Sequence, residues 1–225
     1  MSPSELTWEQ VVALSQSPQQ KVVFALATVA LTAEPYKAFV ALVDRAVDLA
    51  LSDMARNKNI IHEQSEDELS VHLVGVLKGM TFNARHGENN GGHCDITIDG
   101  PNDMRWLGEA KKYTSFFKLF GGARQLINRY GTGLPNQDAG ALIVYISKPD
   151  ALGIMNKWRS TLVSKVKGLE APQPDDQQLD FLTLLTHKGS GRKITIRHVP
   201  AVLFHEPTDV LPYPKDGDPA GLGAH

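Results

Sequence analysis

From residue 1 to about residue 60 the apolar positions keep helical spacing throughout. Pro18 stands just inside a helix that runs through Leu31, and Glu34-Pro35 interrupts it. Phe39, Val40, Val43, Val47 and Leu51 then recur as the apolar stripe of a second helix. The run Val22 to Leu31 is apolar but supplies only about half of the ~20 residues a membrane crossing needs, which predicts a buried helix. A third helix opens at Ser65, an N-cap with Glu68 three residues on to complete a capping box. Glu66, Leu69, Leu73 and Leu77 share one face of it.

Beyond residue 94 the pattern changes to strands. Ile96 to Ile98 and Met104 to Lys111 are separated by Asp99-Gly100-Pro101-Asn102-Asp103, a run of turn formers that predicts neighbouring antiparallel strands. A helix follows over Gly121 to Tyr130, stopped by Gly131, with Leu126, Ile127 and Tyr130 toward the sheet and Gln125 and Arg129 four apart on a shared polar face. The continuous apolar run Ala139 to Ile146, ended by Ser147-Lys148-Pro149, predicts a central buried strand. Next come a helix from Ala151 to Val166 with Trp158 and Leu162 on one face, and a polar connector from Pro172 to Gln178. Two strands, Phe181 to Thr186 and Lys193 to His198, are joined by the Gly-rich hairpin Lys188 to Arg192. From Glu206 onward Pro, Gly and Asp dominate, and an extended or mobile tail is expected. The organisation is α/β: an N-terminal helical segment over residues 1–60, a core over 61–205 and a tail over 206–225.

With 225 residues and 42% hydrophobic content, the chain can bury the core of one generous domain. A net charge of -2 gives no global pull toward nucleic acid, so any such partner must be met by local patches. Two basic sets stand out: Lys111, Lys112 and Lys118 with Arg124 and Arg129, and Lys188, Arg192, Lys193 and Arg197. A single cysteine excludes an intramolecular disulfide. Acidic Glu5 and Glu9 do not resemble a secretory leader, so a cytoplasmic protein without membrane contact is expected.

The chemistry concentrates around Glu109-Ala110-Lys111. On an extended strand Glu109 and Lys111 point the same way, and Asp95 heads the strand across the turn, so two carboxylates and one amine gather around a point. A hard cation such as Mg²⁺ takes oxygen ligands and keeps open positions for water and substrate phosphate. Lys111 would reach into the same space to orient or deprotonate a water and to offset phosphate charge, which implies phosphodiester hydrolysis.

Asp95, then Glu109-Ala110-Lys111 after a hairpin-like interval, then a helix carrying Gln125, resembles the PD-(D/E)xK nuclease superfamily. The likeness spans residues 61–147 in the order helix, strand, strand, strand, helix, strand, and departs from the pattern at Cys94, where the name has Pro. The resemblance implies a restriction-endonuclease-like core, with a mixed central sheet flanked by helices, and a Mg²⁺ site that Mn²⁺ can fill. Asp95 and Glu109 would ligate the metal with the Ala110 carbonyl as a further ligand. Glu66 matches the family's first-helix acid, with Glu68 as its rival. Lys111 would position the nucleophile, and Gln125 would contact Lys111 or a phosphate. Tyr130 follows Gln125 by five positions rather than four, so it is not carried over.

DNA is the implied substrate ahead of RNA. Paired cuts by a chain with one site imply a homo-oligomer, and a regulatory partner protein is a further expectation. A small nuclease of this kind resembles effectors of prokaryotic antiviral defence. Two alternatives stay open: a catalytically silent nucleic-acid-binding or assembly subunit of the same fold, and an RNA-directed nuclease. Among other constellations, His86, His93 and Cys94 lack zinc-module spacing, Cys94 reads as a small buried position rather than a nucleophile, and Gly121-Gly122 lacks the rest of a phosphate-binding loop.

Overall fold

The computed structural model describes residues 7–13, 15, 17–89, 93–127 and 132–207. Five helices come first: α1 (Trp8–Ala13), α2 (Pro18–Thr28), α3 (Pro35–Arg56), α4 (Lys58–Ile61) and α5 (Glu66–Gly79). Strands β1 (Asn83–Asn89), β2 (His93–Asp99) and β3 (Arg105–Lys112) follow. Then come α6 (Phe116–Gln125), β4 (Ala139–Ile146), α7 (Ala151–Lys165), β5 (Phe181–Thr186) and β6 (Lys193–Val202). The strands form one six-stranded mixed sheet in the order β1-β2-β3-β4-β6-β5. β1, β2 and β3 pair antiparallel, β3, β4 and β6 run parallel, and β5 returns antiparallel on β6. The chain is therefore α/β, with helices on both sheet faces.

The alternation along β4 explains why that strand reads as an unbroken apolar run. Ala141, Ile143 and Tyr145 pack with Phe39, Val43, Met54, Leu69 and Leu73 from α3 and α5. Leu142, Val144 and Ile146 pack on the opposite face with Leu119 of α6 and Met155, Trp158 and Leu162 of α7. A strand covered on both faces has no solvent side to mark with polar residues. Because α3 shares its core cluster with the sheet, the N-terminal helices pack on the core rather than standing apart from it.

The turn between β2 and β3 closes as expected: Gly100 N–H donates to the Met104 carbonyl at 2.8 Å, and Asn102 and Asp103 take left-handed φ values of 54° and 57°. Ser65 and Glu68 form the expected capping box on α5. Elsewhere the structure corrects the sequence. The run Val22 to Leu31 is not one buried helix. α2 ends at Thr28, a 3-10 turn covers Val29–Leu31, only Val22 and Val29 are buried, and Leu31 is 85% exposed. α2 packs chiefly against α3, which already covers the sheet, so one narrow stripe suffices. β6 runs on to Val202 although Pro200 suggests an earlier stop. β5 pairing ends at His198, so Pro200 lies where that side of β6 is an open edge and needs no N–H.

α6 starts five residues earlier than the apolar pattern suggests, with Ser115 as N-cap, and Leu126 and Ile127 continue it as a π-turn. Arg129, Tyr130 and Gly131, the Asn90-Gly91-Gly92 loop and the tail beyond 207 lie outside the described residues, as does the His93 side chain. No helix among the described residues is long and apolar enough to cross a membrane.

Candidate active site

The β2–β3 ladder stops at the pair Ile96–Gly108, one residue short of Asp95. From there Asp95 supplies with its side chain what the neighbouring strand no longer supplies: its Oδ2 accepts the Ala110 N–H at 2.9 Å. Strand alternation points Glu109 and Lys111 to the α6 side, together with Leu107. Lys111 Nζ then stands among three carboxylates, 2.6 Å from Glu109 Oε1, 3.2 Å from Asp95 Oδ2 and 3.4 Å from Glu66 Oε1, and donates to the Ala110 carbonyl at 3.0 Å.

Glu66 reaches the group because α5 begins beside the end of β3. Its Oε2 accepts the Lys112 N–H at 2.6 Å and lies 2.7 Å from Lys118 Nζ. Glu68 is engaged elsewhere, accepting the Ser65 N–H at 2.7 Å in the capping box. The geometry thus separates the two rival acids, with Glu66 turned to the Lys111 cluster and Glu68 to the helix cap. Lys112 fixes this approach by donating from Nζ to the carbonyls of His62 and Gln64 at 3.2 and 2.7 Å, which ties the segment before α5 to the end of β3. Ser70, one turn into α5, donates to the Glu66 carbonyl at 2.7 Å and lies 3.3 Å from the buried Tyr145 hydroxyl.

Three carboxylates face two ammonium groups, and Glu109 bears the imbalance. It is only 1% exposed; Lys111 Nζ lies 2.6 Å from its Oε1, while Oε2 has no hydrogen-bond partner among the described residues. Burial, reinforced by the Asp95 charge, pushes its pKa up from 4.5 to about 7. For Lys111, burial pulls the pKa down, but Glu109, Asp95 and Glu66 outweigh it and hold the amine firmly protonated. Burial opposes ionisation of Glu66 too, yet the bonds from Lys118 and the Lys112 N–H leave its pKa below the ordinary value. An amine held protonated in this way is a hydrogen-bond donor and a counter-charge to the acids, not a base.

A buried carboxylate with one oxygen, Oε2, left without a partner among the described residues suits a divalent cation, and Asp95, the Ala110 carbonyl and Glu66 add oxygen donors beside it. Among the described residues no three His, Cys, Asp or Glu side chains already converge as a metal cage. The Lys111 ammonium occupies the space between the acids, and a cation there requires it to swing aside. α6 closes over the Lys111 stem at Gly122, where an added Cβ would lie 2.8 Å from Lys111 Cγ and 3.1 Å from Leu142 Cδ1. Gln125 is half-buried one turn further along α6, three residues beyond Gly122.

Lys118 belongs to the cluster through its contact with Glu66, a role that spacing alone does not give it. Several other basic residues are occupied by the fold. Arg197 has a side-chain exposure of 14% and pairs with Asp48 and Asp180, each at 2.7 Å, so it is an internal tie rather than a nucleic-acid contact. Arg192 pairs with Asp138 and Lys193 with Glu170. Cys94 is fully buried, its Sγ 3.3 Å from the Ile96 carbonyl oxygen and 3.4 Å from that of Gly108, and burial pushes the thiol up to about 12, which disfavours a thiolate nucleophile at neutral pH. No family model matches the chain, and the searches of curated proteins and of solved structures return no match either.

Proposed function

We propose that the protein is a metal-dependent nuclease of the PD-(D/E)xK class, built on a restriction-endonuclease-like core and hydrolysing phosphodiester bonds in DNA. The observation that carries this reading is the buried Glu109, its Oε2 without a partner among the described residues, beside Asp95 and Lys111 at the end of β3. In this reading Asp95, Glu109, the Ala110 carbonyl and Glu66 hold Mg²⁺, or Mn²⁺ in its place. Bound there, the ion would offset phosphate charge and make water more acidic. Lys111, kept protonated by its carboxylates, donates hydrogen bonds that orient the attacking water and the phosphate, and Gln125 supports it from α6. Lys118 adds positive charge at the rim and steadies Glu66. Oligomerisation for paired cuts, a regulatory partner, a cytoplasmic setting and a role in antiviral defence are part of the same proposal.

One observation favours a second reading, a catalytically silent nucleic-acid-binding or assembly subunit: Lys111 and Lys118 already sit against the carboxylates that a metal would engage. Incubation of purified protein with supercoiled plasmid, single-stranded circular DNA and a structured RNA, in Mg²⁺, Mn²⁺ or EDTA, separates the two. Metal-dependent cleavage that disappears in Lys111→Ala and Glu109→Ala is the expected result. Binding without cleavage under every metal condition would favour the silent subunit, and cleavage confined to RNA would move the substrate to RNA.

A further inference from the structure

The first turn of α6 presents an aromatic ring to solvent beside the cluster. Phe117 is 88% exposed. Its two neighbours in sequence are both committed: the Phe116 ring lies nearly parallel to buried Trp158, at an interplanar angle of 6° and 6.4 Å between centroids, and Lys118 Nζ lies 2.7 Å from Glu66 Oε2. Phe117 thus stands between a ring seated on the core and an ammonium that touches the acids. Helix formation does not ask for a phenylalanine at this position, and a side chain left almost wholly in water buries little apolar area in the fold.

The surroundings carry positive charge. Lys157 Nζ lies 5.8 Å from the Phe116 ring centroid, and Lys148 Nζ lies 5.6 Å from that of Tyr113, whose ring is 5.4 Å from Phe116. Along α6 the same outer face continues through Gly121, where an added Cβ would meet nothing within 4 Å, to exposed Arg124. The result is an exposed ring with a bare step and Arg124 further along its own helix face, and two more cations around the neighbouring Phe116 and Tyr113 rings. Phosphates suit the cations, and the flat apolar face of a base suits the ring. In a duplex the base faces are covered by their neighbours, so only an unpaired strand offers both.

We propose that Phe117 is a stacking platform for an unpaired base and that the site takes single-stranded DNA. This rests on the nuclease reading for the purpose of the strand, while the binding itself is measured apart from hydrolysis. The test is fluorescence anisotropy in EDTA with a labelled mixed-sequence oligonucleotide, single-stranded or as a blunt duplex, for wild type, Phe117→Ala and Phe117→Trp. One lost base stack predicts about tenfold weaker single-strand binding by Phe117→Ala. Phe117→Trp retains wild-type affinity, and duplex binding is the same for all three. Because the side chain is exposed, the melting temperature of Phe117→Ala stays at the wild-type value.

Wild-type protein without measurable affinity for the single strand overturns the proposal, as does Phe117→Ala binding it as wild type does. A change of mass in light scattering with single-strand affinity intact would make the ring a contact between copies and also overturn it. Loss of single-strand binding in Phe117→Ala, in a protein that cleaves nothing in Mg²⁺, sustains the platform and defeats the nuclease reading. Metal-dependent cleavage of single strands that is indifferent to Phe117→Ala does the reverse.

Discussion

Replacing Glu109 by Gln tests the electrostatics of the cluster without asking for activity. The folded protein holds the Glu109 proton up to about pH 7, whereas an ordinary glutamate gives it up near 4.5. A carboxyl whose pKa is raised on folding binds its proton more tightly in the folded state. Its contribution is therefore fully present below pH 4.5 and is lost as pH rises through about 7. At about 1.4 kcal/mol for each tenfold, ionised Glu109 costs the metal-free fold about 3 kcal/mol above pH 7. The substituted glutamine would keep the shape of the protonated acid and escape that cost. Urea unfolding in EDTA should find Glu109→Gln more stable than wild type by about 2–3 kcal/mol at pH 8. In thermal melts this corresponds to roughly 4–12 °C for a chain of this size. The difference should close at pH 4.5. A variant less stable than wild type at pH 8, or a gain that is equal at both pH values, would refute the argument that Glu109 is held under electrostatic strain.

Other substitutions address the remaining parts. Glu66→Ala should abolish metal-dependent cleavage, whereas Glu68→Ala should lower the melting temperature through the lost cap and leave cleavage intact; paired melting and cleavage assays on both variants check this. Gly122→Ala gains helix propensity but pushes on the Lys111 stem, so kcat should fall about tenfold or more with little change in melting temperature. Arg197→Ala should destabilise by about 2–4 kcal/mol, because Asp48 and Asp180 lose their partner, with single-strand affinity unchanged in the material that folds. His198 is fully buried, accepting the Trp158 indole N–H at Nδ1 and facing Thr183 Oγ1 at Nε2, and burial drops its pKa to about 3. A depressed histidine favours the fold above pH 6.5 and loses that stability as pH falls toward 3, by up to about 5 kcal/mol, so His198→Gln should flatten the acid limb of an unfolding profile.

The site elements were legible because they sit on period-two strands and one capped helix. Glu109 and Lys111 share a face by strand geometry alone, the turn at Asn102 and Asp103 announces the antiparallel return, and Ser65 with Glu68 marks where α5 begins. Once Glu68 is spent on the cap, Glu66 is left to meet Lys111, a choice that the spacing leaves open and the hydrogen bonds settle. What sequence could not give depends on how distant elements cross. Arg197 and Asp48 are 149 residues apart, and nothing local marks either as the other's partner. Lys118 joins the acids only because α6 passes over the Lys111 stem. Phe116 and Phe117 are alike and adjacent, yet one ring lies on Trp158 and the other in solvent. The apolar run at α2 likewise says nothing about which neighbour it meets, and α3 needs only one stripe of it.

The central claim is that the acids around Lys111 hold a divalent cation that drives phosphodiester hydrolysis. Its most direct test is cleavage of labelled single-stranded and duplex DNA across a Mg²⁺ titration, with melting temperature followed on the same samples, for wild type, Asp95→Asn and Lys111→Ala. Hydrolysis by wild type alone, rising with Mg²⁺ in step with metal-induced stabilisation that Asp95→Asn lacks, is the result the account predicts. Hydrolysis that persists in EDTA or in Lys111→Ala, or intact DNA at saturating Mg²⁺, would contradict it.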